Sequence, residues 1–86
     1  MPVISTFFGI IIRMFYADHE PPHFHVEYQG ESATFDFSGT LLAGQIRSPR
    51  VRRSVREWAQ LHQFELRANW KRIKAQEPLR QIAPLE

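Results

Sequence analysis

Two runs of strict alternation, His23 to Tyr28 and Glu31 to Phe37, are separated only by Gln29-Gly30, a pattern that demands an antiparallel hairpin. Phe24, Val26 and Tyr28 point one way along the first run, and His23, His25 and Glu27 point the other. A two-residue turn with the glycine at positive φ pairs Tyr28 with Glu31, Val26 with Ala33 and Phe24 with Phe35. The same register places Thr34 opposite His25 and Asp36 opposite His23. All the apolar pairs then share one face, whereas a slip of one residue would turn them to water.

The rest of the chain is read outward from that hairpin. Met1 to Gly9 opens with β-formers and a glycine suited to a bend, and Ile10 to Tyr16 reads as a strand apolar at nearly every position. Pro21 and Pro22 hold the intervening loop extended. Leu41 to Ile46 adds a short edge strand around Gly44. Ser48-Pro49 is a strong helix start, with serine as N-cap and proline in the first helical position. Val51, Val55, Trp58, Ala59, His62, Leu66, Trp70 and Ile73 form one stripe at helical spacing, and no glycine or proline interrupts residues 50–76. The expectation is one long helix, with a bend near Gln63-Phe64 because Phe64 lies off the stripe. The predicted class is α+β, a small antiparallel sheet of three to four strands packed against one long C-terminal helix. Residues 1–86 read as one domain: a β-rich part over 1–46, a long basic helix over 48–76, and an irregular tail over 77–86 that Leu79, Ile82 and Leu85 dock onto the body.

Charge divides the chain. Residues 1–46 carry one arginine against five carboxylates, and residues 47–74 carry nine basic groups against two. Such asymmetry implies opposed surfaces with different partners. Without cysteine there is neither a disulfide nor a thiolate metal ligand, which suits a reducing cytoplasm. The apolar run Phe7 to Ile12 is too short for a signal-peptide core or a membrane span, so no membrane partner is expected. A core this small leaves homodimerisation open.

Chemistry concentrates in Asp18-His-Glu-Pro-Pro-His-Phe-His-Val26. His23 and His25, two apart on a strand, present both imidazoles on one side. His19 reaches across the Pro-Pro loop, and Asp36 or Asp18 completes a fourth position or orients a ligand. Such a set suits a divalent metal such as zinc, or iron or manganese where water fills the open positions. The same residues also fit a bracing role, with imidazoles bonded to Asp36, Thr34 and loop carbonyls. A third fit is a ribonuclease site, metal-dependent or His-based, on the His19, His23, His25 and Asp36 face, with His23, His25 and Asp36 as its catalytic candidates. Arg47, Arg50, Arg52, Arg53 and Arg56 gather at the N-terminal end of the helix, where they oppose the macrodipole. Nucleic acid and an acidic partner protein account for them equally well, as does pairing with the acidic half of the chain. His62, mid-stripe between Trp58 and Leu66, reads as a hydrogen-bonded core histidine.

Three blocks carry a resemblance. They are Met1-Pro2-x-Ile4-x-x-Phe7-Phe8-Gly9-Ile10, then Asp18-His19-x-Pro21-Pro22-His23-Phe24-His25-Val26, then Val55-x-Glu57-Trp58-x-x-x-His62-x-x-Glu65-Leu66-x-x-Asn69-Trp70. In this order, and with the tail Pro78 to Leu85, they resemble domain-of-unknown-function family 4160, small bacterial proteins of about this length. The resemblance implies one half of a two-gene unit, similar to toxin–antitoxin pairs, whose partner is the product of the neighbouring gene, nucleic acid, or both. It supplies no catalytic residues.

Overall fold

A computed structural model describes residues 2–86. Among them the elements run β1 (Val3–Phe7), β2 (Ile10–Arg13), β3 (Phe24–Tyr28), β4 (Glu31–Phe35), β5 (Leu41–Gly44), α1 (Pro49–Leu61) and α2 (Gln63–Ala75). The strands form one antiparallel sheet in the order β1-β2-β3-β4-β5, so each pairs with its neighbour in sequence. The class is α+β. The expected three to four strands are five, because the opening β-formers pair as a full strand against β2 and Leu41–Gly44 closes the far edge.

The central hairpin has the register read from its alternation: Phe24 pairs with Phe35, His25 with Thr34, Val26 with Ala33 and Tyr28 with Glu31. Gln29 and Gly30 both take positive φ, as a tight two-residue turn that matches strand twist requires. Phe24, Val26, Ala33 and Phe35 are buried, together with Ile4, Ile10 and Ile12 from the first two strands and Met14 just beyond β2. This apolar face meets Val51, Val55, Trp58, Ala59, Leu66, Trp70 and Ile73 of the helices. The rings of Phe24 and Trp58 cross edge-on at 5.5 Å, and those of Phe37 and Trp70 at 6.0 Å.

Ser48 caps α1 by accepting from Val51 N–H at 3.2 Å, with Pro49 in the first turn. The single long helix is corrected: α1 ends and α2 begins at His62, whose φ of −118° and ψ of 31° leave the helical region. A straight helix over Pro49–Ala75 would run about 40 Å, whereas the longest extent of the molecule is 34 Å. The break keeps both apolar segments on one small twisted sheet. Phe64, off the stripe, is 84% exposed just beyond it. His62 bonds Glu65 Oε2 through Nδ1 at 2.9 Å, and its ring packs by Trp58.

Close approach positions α1. A Cβ on Gly39, at φ +91°, would stand 2.7 Å from the Arg56 Cα, so only glycine lets the β4–β5 turn lie flat against the helix. Gln60 and Gln63 donate to the carbonyls of Ser38 and Phe37 along the same line. The tail returns across the helices, burying Ile82 and Leu85, and Trp58 Nε1 donates to the Ala83 carbonyl at 2.9 Å.

Candidate metal centre and basic helix flank

Asp18 lies in the loop joining β2 to β3, and its backbone and side chain form a compact turn. Its N–H donates to the Phe15 carbonyl at 3.1 Å, and its Oδ2 accepts from the Phe15 N–H at 3.0 Å. That leaves Oδ1 to face the hairpin, where it lies 3.0 Å from His25 Nε2 and 3.4 Å from His23 Nε2. One potential ligand atom from each of the three falls within 4.8 Å of the others.

The shelter is uneven. The Asp18 and His23 side chains are 9% and 14% exposed, and that of His25 is 27% exposed, so the cluster opens on the His25 side. His23 is held between two rings, with Trp70 at 5.7 Å and His25 at 5.1 Å, while Phe15 meets the His25 ring edge-on at 4.6 Å. His23 Nδ1 lies 2.8 Å from the Pro21 carbonyl. A carbonyl only accepts, so Nδ1 carries the proton, and in a neutral ring Nε2 then presents a lone pair to the Asp18 carboxylate. A neutral His23 ring thus leaves two acceptors 3.4 Å apart at a sheltered site, whereas a doubly protonated ring would donate to the carboxylate.

The loop itself is tied to α2. Glu20 Oε2 accepts from Trp70 Nε1 at 3.1 Å and lies 3.3 Å from Lys74 Nζ, which sits 5.1 Å from the centre of the Trp70 ring. The Trp70 N–H holds the Glu20 carboxyl below its ordinary value; burial pushes the other way, and Lys74 adds to the lowering.

The other predicted site residues lie elsewhere. His19 is exposed, with Nδ1 3.3 Å from the Glu20 carbonyl, and is outside the cluster. Asp36 is outside it too. Strand β4 ends at Phe35, and the Asp36 N–H turns away to the Thr40 carbonyl at 2.9 Å, so the extended pairing with His23 does not continue. Its Oδ1 accepts from Ser38 N–H, Ser38 Oγ–H and Thr40 N–H at 3.0, 2.7 and 2.9 Å. Burial acts to raise the Asp36 carboxyl, but these donors together hold it below its ordinary value.

The five arginines divide by role. Arg47 pairs with Glu31 at 3.0 Å, and Arg52 donates to the carbonyls of Ile46 and Arg47, bracing the connection from β5 into α1. Arg50 reaches the Tyr28 hydroxyl at 3.5 Å. Arg53 and Arg56 are exposed and form no ion pair among the described residues. Sequence reasoning passed over Arg67 and Lys71. One turn apart on α2, they line a cleft of about 520 Å³ together with Pro22, Asp36, Phe37 and Trp70. Their i, i+4 spacing was the available signal.

Comparison with family models matches residues 9–71 to the family described as Domain of unknown function (DUF4160). The match covers well over half of the chain, which therefore belongs to that family. Neither the curated proteins nor the solved structures contain a match.

Proposed function

We propose that this DUF4160 member is the nucleic-acid-binding half of a two-gene, toxin–antitoxin-like unit, and that it holds phosphates on the helix flank bearing Arg50, Arg53, Arg56, Arg67 and Lys71. The observation that carries this reading is an imbalance in pairing. The acidic residues of the first half are largely used inside the chain, Glu27 with Arg13, Glu31 with Arg47 and Glu20 with Lys74. Arg53 and Arg56 have no such partner among the described residues. Arg50, in the first turn of α1, also opposes the helix dipole, and an external polyanion offsets what its placement costs.

The cleft favours nucleic acid over an acidic protein. Pro22, Phe37 and Trp70 line it together with the cations of Arg67 and Lys71, against the single carboxylate of Asp36. An unstacked base with its phosphate has that combination of flat apolar ring and adjacent charge. The two-gene role rests on the family resemblance.

The test is expression of the protein alone and with its neighbouring gene product, scored for growth, RNA integrity and nucleic acid recovered on purification. Nucleic acid that co-purifies with the wild type and is lost with Arg50, Arg53 and Arg56 all changed to Gln supports the proposal. Recovery of a neighbouring protein free of nucleic acid would replace it with the acidic-partner reading. RNA degradation that depends on the histidines would replace it with a ribonuclease.

A further inference from the structure

Independently of the basic flank, we infer that Asp18, His23 and His25 form a binding site for one divalent transition-metal ion, with Asp18 Oδ1 and the Nε2 atoms of both histidines as ligands. The two separations from Asp18 already fit, and the three atoms lie within 4.8 Å of one another. Metal–ligand bonds of about 2.0–2.2 Å place adjacent donors roughly 3.0–3.5 Å apart at tetrahedral or octahedral angles, and Asp18 Oδ1 lies 3.0 and 3.4 Å from the two nitrogens.

The surroundings fit as well. A metal-binding histidine ordinarily donates its other ring N–H to a carbonyl, which fixes the tautomer and orients the lone pair. His23 does this through Nδ1 to Pro21 at 2.8 Å. The carboxylate is oriented in the same way, since Phe15 N–H takes Oδ2 and leaves Oδ1 for the ion. His25 Nε2 now lies at hydrogen-bond distance from Asp18 Oδ1. On metal binding the His25 ring proton moves to Nδ1, and Nε2 becomes a ligand. An ion between the three atoms also relieves the opposed lone pairs of His23 and Asp18.

The donor set is two imidazoles and one carboxylate, all on one side of the ion. It leaves positions open towards the more exposed His25, where the surface beside Phe15 and Thr34 admits water or a small oxygen ligand. That chemistry suits Zn²⁺, Fe²⁺ or Mn²⁺, and the absence of any thiolate argues against Cu⁺.

The experiment titrates untagged protein with Co²⁺ and Zn²⁺, reading the visible Co²⁺ absorption and the heat of binding. The expected result is saturation at one ion per chain. Asp18→Asn and His25→Ala should each weaken binding at least tenfold, while His19→Ala leaves it unchanged. Asp18→Asn keeps an oxygen to accept from Phe15 N–H, and circular dichroism establishes that it is folded. No saturable binding by the wild type would overturn the assignment, as would His23→Ala and His25→Ala variants that bind as tightly as the wild type.

Discussion

Asn69 and Arg80 close a reciprocal amide pair: the Asn69 Nδ2 donates to the Arg80 carbonyl, and the Arg80 N–H donates back to Asn69 Oδ1, each at 3.0 Å. Asn69 is fully buried, so this one side chain satisfies both backbone groups of Arg80, in a tail that has no strand or helix of its own. Its Oδ1 accepts from Arg72 Nη1 as well, at 2.9 Å.

Asn69→Leu leaves the Arg80 N–H and carbonyl without their partner under the tail. The expected cost is about 2–4 kcal/mol. Urea unfolding measures it, and hydrogen exchange should show loss of protection concentrated in residues 78–86.

Phe64 makes the opposite case. At 84% exposure it contributes almost nothing to the core, despite its size. Phe64→Ser is expected to change stability by less than about 0.5 kcal/mol. A thermal melt that fell by many degrees would mean that the break at His62 is not where the helix turns.

The acid limb of stability should depend on Asp36. Its carboxyl is held below the ordinary 3.8 in the folded protein. Its contribution is therefore complete above the unfolded value and is lost as pH falls through the lower folded value. On acidification below 3.8, melting temperature should fall more steeply for the wild type than for Asp36→Asn.

Zinc should raise the melting temperature near neutral pH. At a hundredfold excess over Kd the stabilisation is about 2.7 kcal/mol. The gain should shrink on acidification, because protons compete for the same imidazole nitrogens. His25→Ala should abolish the zinc response, and His19→Ala should keep it.

Much of the fold was legible because its signals are local or strictly periodic. The hairpin register followed from which residues alternate, and the helix start from Ser48-Pro49. The helix break was partly legible: Phe64, off the stripe, marks a bend near Gln63-Phe64, but the stripe from Val51 to Ile73 stays in phase through His62, so nothing local shows that the helix ends there and a second begins. The candidate centre was half legible. His23 and His25 share a side because strands have period two. Extending the hairpin one pair further recruited Asp36, but the Asp36 carboxylate closes its own turn with Ser38 and Thr40. Asp18 takes that place by crossing from the β2–β3 loop, a closure that no periodicity encodes.

The most direct measurement of the proposed function is the salt dependence of binding to a fluorescent single-stranded oligonucleotide. The logarithm of affinity should fall linearly with the logarithm of salt concentration, by about 0.7 per phosphate contact. Changing Arg50, Arg53 and Arg56 together to Gln should flatten that slope by roughly 2 and weaken binding across all sequences alike. A wild type whose binding ignores salt, or a triple variant with the wild-type slope and affinity, would contradict the account.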